Sequence, residues 1–436
     1  MNIHDILTAE LQGSVDFYLQ YTNLERGSKG FGLTVDSTKV AQIASIASTG
    51  FALTAWVIGH ARGYIDEQQA VEITRGTLRT LSEQVSHHRG FFAHFLDIQT
   101  GERYRNCEYS TIDTAICMNG VITAAAYFQD AEIKELAQQL LERVDWNFLV
   151  FERDGKTLFH MAYNPDQHGD YVDGEPGFIS QWDMCAEQRM MYLQAANTVA
   201  PETARRLYQG FSRDTGYFEG QPVTILPGGC LFDYQYSEAW MDFGSYLDPD
   251  GMDWFENSRR AALAHRSFCI EHSGKYKTYH ANSWGLSAGD SPHGYGVYGS
   301  MPCLGQPRHD GTVSIYSAVA CLPFIPSETR ELVDYLYHQQ PRTWGKYGFF
   351  DAYNLDVSPE WYSTSLYGID KGCSMIMIEN ALSGLIWKTY TDSDFIQKSL
   401  AILAFNKKTR SVVNEQIPSE ERPILAGWST AVNPGG

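Results

Sequence analysis

Residues 181–196 read QWDMCAEQRMMYLQAA. Met184, Met190, Met191, Leu193, Ala195 and Ala196 recur at helical spacing, which predicts a helix over 183–198 meant for burial. Glu187 stands one turn from Met184 and from Met191, so its carboxylate is set among apolar neighbours. Two readings stay open there: a structural ion pair with an arginine such as Arg189 or Arg205, or a carboxyl kept for chemistry. Outward from this stretch the same periodicity recurs, at about 4–23, 39–62, 66–86, 110–128, 131–147, 201–209, 236–246, 253–272, 313–322, 327–339, 373–388 and 392–405. Strand-like alternation is scarce. A dozen or so helices in which apolar ones alternate with amphipathic ones predict an all-α closed ring of inner and outer helices, an (α/α)6 barrel or toroid around a central cavity. Long connections at 160–181, 221–232, 273–311 and 340–371, rich in Gly, Asp, Tyr and Trp, would form its rim, since loops of that length tend to be functional. An α-solenoid would need a repeat, and none is visible. No Pro/Ser-rich linker or shift of charge divides the chain, so one domain is expected over 1–436, with its core at about 25–405.

The net charge of −19, from 33 Lys and Arg against 52 Asp and Glu, argues against nucleic acid or an anionic membrane as partner, because polyphosphate would be repelled. A neutral ligand fits better. With 10 Trp, 26 Tyr and 22 Phe, the chain has aromatic rings beyond the needs of a core. Sugars offer C–H faces to such rings while their hydroxyls seek carboxylates and amides. The 8 cysteines form no CxxC pair and read as mostly free, buried thiols. HExxH, Walker A, GxSxG and Cys/His metal spacings are all missing, and GSKGFG at 27–32 lacks the strand that a phosphate loop requires, so neither metal nor cofactor is expected. The start, MNIHDILTAELQ, shows no basic segment followed by an apolar run, and no stretch has the roughly 18 uninterrupted apolar residues of a membrane span. A cytoplasmic monomer is the default expectation, periplasmic or secreted if a leader has been removed.

Eleven segments in order carry a family resemblance: GFGLTVD (30–36), SIASTGFALTA (45–55), GFFAHFLD (90–97), EYSTIDTA (108–115), ERVDW (142–146), WDMCAEQRMMYLQA (182–195), QYSEAWMDF (235–243), WFENSRRA (254–261), SWGLSAGDSPHGY (283–295), WGKYGFFDAYN (344–354) and GIDKGCSMIMIEN (368–380). Together they resemble the glucoamylase-like (α/α)6 family that groups endo-β-1,2-glucanases with the transglycosylase domain of cyclic β-1,2-glucan synthases. The resemblance covers about residues 25–405 and implies the toroid independently of the helix count. Trp182, Glu187, Tyr192 and Ala195 fit the family pattern around the opening stretch, which implies that Glu187 is the general acid and that Asp370, in GIDKG, is the base. The chain departs from the pattern where the family often has two His around Gln-Tyr-Ser; Tyr234 and Glu238 stand here instead. The implied activity is that of an inverting endo-β-1,2-glucanase releasing sophoro-oligosaccharides. Its rivals are a retaining β-1,2-glucan transglycosylase and a non-catalytic glucan-binding protein.

The chemistry gives each residue a test. Glycoside hydrolysis needs one carboxylic acid to protonate the leaving oxygen and one carboxylate to activate water, roughly 6.5–9.5 Å apart for inversion. A relay through a substrate hydroxyl, which the resemblance implies, would stretch that distance. An apolar pocket built by Met184, Met190 and Met191 would keep Glu187 protonated. Asp370, just ahead of an apolar helix, is placed for ionisation by the helix dipole, as a base or as a plain cap. Glu108 and Asp113 flank a Ser-Thr pair at a helix start and read either as capping residues or as ligands of glucose hydroxyls. Asp290 and Asp351 lie on Gly- and aromatic-rich loops, where sugar binding competes with turn formation. Glu379 reads as a second carboxylate behind the site or as a core one. Trp182, Tyr192, Tyr236, Trp284, Tyr295, Trp344 and Trp361 are the candidate substrate contacts and stacking platforms.

Overall fold

The computed structural model describes residues 1–166 and 176–408, together with the backbone of a short strand at 428–430. Fourteen α-helices lie among the described residues: α1 (Ile3–Tyr21), α2 (Ile46–Ala61), α3 (Glu67–Glu83), α4 (Thr111–Tyr127), α5 (Ala131–Arg143), α6 (Arg189–Ala195), α7 (Pro201–Gly210), α8 (Phe232–Trp240), α9 (Trp254–Glu271), α10 (Ile315–Val319), α11 (Pro326–Gln339), α12 (Gly368–Leu382), α13 (Leu385–Thr391) and α14 (Asp394–Leu403). The even-numbered helices from α2 to α12 are buried nearly all round. The odd-numbered ones between α3 and α11 bury one stripe each, as amphipathic surface helices do. Each amphipathic helix packs on a buried one: α3 on α2, α5 on α4, α7 on α6, α9 on α8 and α11 on α10. Among the buried helices α2 packs on α4 and α4 on α6, while α8 and α10 both meet α12, which returns to α2.

Sequence sets the closest of these approaches. Gly50 of α2 lies against Gly120 of α4, and a Cβ added at Gly120 would stand 2.1 Å from the Gly50 carbonyl oxygen. No residue larger than glycine fits that crossing without moving a backbone.

Several helix boundaries differ from the periodic reading. The helix expected over 39–62 starts at Ile46, because residues 43–45 instead pair as a strand with 95–97. The one expected over 183–198 is α6, only 189–195 long. Ahead of it the chain is held as a loop: the Asp183 carbonyl accepts the Ser212 N–H at 2.8 Å and the Met184 carbonyl accepts the Gln188 amide at 2.5 Å. Glu187 therefore sits in the turn before the helix and not inside it. The helix expected over 373–388 breaks at Gly384, whose φ of 71° no helix continues, into α12 and α13. Short strands are more numerous than expected; the largest sheet joins 109–110, 150–153, 156–163 and 178–181. Most hold two to four residues, too few for an alternating pattern to register. All eight cysteines are free and all but Cys107 are buried. No helix among the described residues is long and apolar enough to cross a membrane.

Candidate active site

The N-terminal ends of the buried helices carry an unusual density of acids. Glu187 precedes α6, Asp233 is the second residue of α8, Asp113 the third of α4 and Asp370 the third of α12; Asp351 meets α10 by accepting the Ile315 N–H on its carbonyl at 2.8 Å. Loop-to-loop bonds draw these ends together: Ser37 bridges Tyr367, the Leu231 N–H reaches the Leu286 carbonyl and the Ser314 N–H reaches the Gly285 carbonyl.

Glu187 is hemmed in by protein and half-buried as a residue. The Ser237 hydroxyl of α8 bonds its carbonyl oxygen and accepts the Met190 N–H at 3.0 Å, which fixes the turn. Desolvation raises its carboxyl above the ordinary value, and the carboxyl of Asp233 faces it. Asp233 is raised still more, by its burial and then by the charge of Glu187. Two facing carboxyls in a dry place cannot both ionise, so the pair holds a proton as a unit. The arginine weighed as a partner for Glu187 goes elsewhere. Arg189 meets Glu238 at 3.3 Å, with its guanidinium over the rings of Trp254 and Phe243, and Arg205 bonds the Ile402 carbonyl.

Asp370 forms a second such pair with Asp351. The expectation that the helix dipole would ionise Asp370 is overturned: burial, followed by the charge of Asp351 and a bond to it, raises its carboxyl well above the ordinary range. Both of its oxygens are buried without a donor in hydrogen-bonding geometry, the nearby Tyr316 hydroxyl giving its proton to the Ala288 carbonyl at 2.7 Å. Asp351 is pushed up to about 6, by burial first, although it accepts the Asp290 N–H at 2.6 Å. Asp290 itself is buried, bonded to Lys39 at 2.7 Å and to the Ser363 hydroxyl at 2.7 Å. Its side chain anchors loops.

Tyr236 connects the two pairs. Its hydroxyl feels the charges of both Asp370 and Glu187 and lies near Tyr295. Tyr295 is 45% exposed although it packs on Tyr367, with ring centroids 4.8 Å apart. On the other flank His94 donates its Nδ1–H to Glu108 at 2.7 Å and stands 3.7 Å from Asp113. Burial would lower His94, but the charge of Asp113 and the bond to Glu108 outweigh it and hold the imidazole at about 9, a cation at neutral pH. Asp36 is pushed up to about 6 by burial, with His94 pulling against it and Asp113 with it. Glu108 and Asp113 are thus neighbours of one cation, and Ser110 caps α4 beside them, accepting the Asp113 N–H at 3.2 Å.

The expected aromatic platforms divide. Tyr192 is enclosed, stacked on Phe159 and Phe211, and Trp284 has no exposed surface at all, so neither offers a sugar a ring face. Trp182 is 6% exposed and donates to Thr111 at 3.0 Å, bracing the start of α4. Trp344 packs edge-on against Tyr337 and Phe349, and Trp361 lies on a short strand paired with Asn354. Glu379 is paired with Arg62 at 2.8 and 3.1 Å at the far end of α12. Asp36, His94, Asp233, Tyr316 and Tyr367 went unread as site residues, although GFGLTVD and GFFAHFLD contain the first two; nothing in a linear pattern shows that five separate loops meet. Among the described residues no group of His, Cys, Asp and Glu is arranged to hold a metal ion.

A mostly helical chain with paired acids at one end of its buried helices matches known proteins. Residues 179–394 match the family model described as "Glycoamylase: Putative glucoamylase". An exo β-1,2-glucooligosaccharide sophorohydrolase (non-reducing end) of Parabacteroides distasonis is 26% identical over 387 residues, which are 81% of this chain and 52% of the relative. The chain thus spans about half the length of that relative. Among solved structures, an endo-β-1,2-glucanase from Chitinophaga pinensis in complex with sophorotriose and glucose superposes with a TM-score of 0.79 at 22% identity, covering 93% of this chain and 99% of that one. A β-1,2-glucanase from Parabacteroides distasonis does so with a TM-score of 0.80 at 22% identity, covering 92% and 60%. At these identities the structures establish a shared fold.

Proposed function

We propose that the protein is an inverting glycoside hydrolase, built on an (α/α)6 toroid, that cleaves β-1,2-glucan at internal linkages into sophoro-oligosaccharides. The observation that carries the reading is Glu187: a carboxyl raised by burial and faced by Asp233, with Tyr236 close enough to feel both its charge and that of Asp370. The Glu187–Asp233 pair holds one proton between its carboxyls, and Glu187 gives it to the bridging oxygen of the leaving sugar. The Asp351–Asp370 pair carries one negative charge and takes a proton from the attacking water, directly or through a substrate hydroxyl, with Asp370 lodged at the start of α12. His94 holds Glu108 ionised, as an acceptor for sugar hydroxyls, with Asp113 beside the same imidazole, and Tyr295 supplies an exposed ring. The substrate is a neutral glucan, as the acidic chain requires.

Exo action at the non-reducing end is the second reading, favoured by the sophorohydrolase relative. Incubation with linear and cyclic β-1,2-glucan separates the two. Internal cleavage yields mixed lengths early and opens the cyclic substrate, whereas exo action releases one short product and spares the ring. NMR of the first product anomer tests inversion, and a retained anomer would give the transglycosylase reading instead. No turnover of any glucan, with binding intact in both the wild type and Glu187→Gln, would leave a glucan-binding protein.

A further inference from the structure

Beside the acidic cluster runs a groove of about 470 Å³ that none of the roles above uses. Its walls are two loops, 36–43 and 104–107, and Phe95 forms part of its floor. The strand pairing of 43–45 with 95–97 and the bond from the Tyr104 N–H to the Phe95 carbonyl at 2.9 Å hold the walls at fixed separation. Asp36 lines the groove, and its carbonyl accepts the Gly368 N–H at 2.9 Å, two residues before Asp370, so the groove borders the acidic cluster. Most of the surface is apolar, including the ring of Tyr104 and the 41% exposed Val40, while Arg105 and Asn106 stand exposed at the rim. Arg105 is held at φ 52°, an uncommon backbone state for a side-chain-bearing residue, with its guanidinium 5.3 Å from the Tyr104 ring.

An apolar trough with a polar rim, bordering a carboxylate site, matches a chain of neutral sugars in chemistry. An acidic ligand would meet Asp36 and the net charge of −19. We propose that this groove is a distal binding subsite for glucosyl units of a glucan chain whose scissile linkage lies at Glu187. The inference rests on the function proposed above and adds to it: a chain threaded past Asp36 extends beyond the reacting bond, as internal cleavage requires.

The test uses Glu187→Gln, which binds without turnover, titrated calorimetrically with β-1,2-gluco-oligosaccharides of increasing length. Affinity rises in a step once the oligosaccharide is long enough to enter the groove. Filling the groove with Val40→Trp, on an exposed loop where a large side chain is tolerated, removes that step, and the long-to-short affinity ratio falls about tenfold. Asn106→Ala gives a smaller fall in the same ratio. In the active enzyme Val40→Trp lowers the ratio of kcat/KM for long over short substrate by a similar factor. An unchanged ratio in Val40→Trp overturns the subsite while leaving the active-site reading intact. A Glu187→Gln protein that binds no length of this series overturns both.

Discussion

Helix α12 carries two buried acids, Asp370 and Glu379, with opposite fates. Glu379 receives two bonds from Arg62, and Glu10 on α1 likewise meets the buried Lys371, the residue after Asp370. Glu238 on α8 meets Arg189 and the Ser258 hydroxyl at 2.5 Å. The fold thus has cations for its buried carboxylates and aims them carefully. Asp370 faces Asp351 and Glu187 faces Asp233, and among the described residues none of the four forms an ion pair with a cation. Burying an unpaired carboxyl costs free energy, which natural folds accept where activity needs it. Arg189 and Lys371 both stand within a residue or two of an unpaired acid and turn away from it, which separates structural from chemical carboxylates in this molecule.

The largest effect falls on the unpaired acids. Glu187→Gln and Asp370→Asn should each lower the rate of glucan hydrolysis by roughly 10²–10⁴-fold, the usual worth of a general acid or base. Melting temperature should stay level or rise, because a neutral amide replaces a carboxyl that nothing paired. A variant that loses rate and melts far below the wild type would erase the distinction between the two kinds of carboxylate.

The converse holds at Glu238. Glu238→Ala leaves the Arg189 guanidinium, 1% exposed and unable to shed its proton, without its carboxylate. Loss of about 3–5 kcal/mol in denaturant unfolding is expected, the cost of breaking a buried pair by deleting one partner. Under conditions where the variant is still folded, turnover should change far less than in Glu187→Gln. Activity lost in full from a folded Glu238→Ala protein would make Arg189 part of the chemistry.

Glu379→Ala is the milder version. Arg62 is 26% exposed and can hydrate when its partner goes, so about 1–3 kcal/mol of stability is the expected loss, with little change in rate. A loss as large as that at Glu238 would mean that exposure of the cation does not set the scale.

These contrasts also mark what could be read from the sequence. The alternation of apolar and amphipathic segments was legible, because a helix buried on all sides, such as IASTGFALTAWVIGHA over 46–61, differs in composition from one that buries a stripe, such as EQQAVEITRGTLRTLSE over 67–83. Glu187 and Asp370 were legible as anomalies, acids in apolar surroundings. Their partners were not. Asp233 and Asp351 lie 46 and 19 residues away, in segments that read equally well as a helix start and a turn, and only the folded chain sets carboxyl against carboxyl. The platforms failed for a related reason. Trp284 and Tyr192 are the rings that best fill a large core, so ring size alone points inward as often as toward a ligand. Tyr295, in a Gly-flanked loop, is the platform whose exposure survives folding.

The smallest predicted effect is also the most specific to the pairing. Asp351→Asn removes the neighbouring charge that raises Asp370, while its amide oxygen can still accept the Asp290 N–H. Asp351, pushed up to about 6, is the member of the pair that ionises first, so its loss passes the charge to Asp370, which burial and Asp36 still hold above the ordinary range. The base works in its ionised form, so the acidic limb of kcat/KM against pH should move to higher pH, and the basic limb, set by the Glu187–Asp233 pair, should stay in place. Asp233→Asn should do the reverse. With the Glu187 charge no longer opposed by a second acid, and an amide donor beside it, the acid ionises more easily, so the basic limb falls and the acidic limb holds. If either substitution moves both limbs together, the four carboxyls form one coupled cluster, and the division into an acid pair and a base pair gives way.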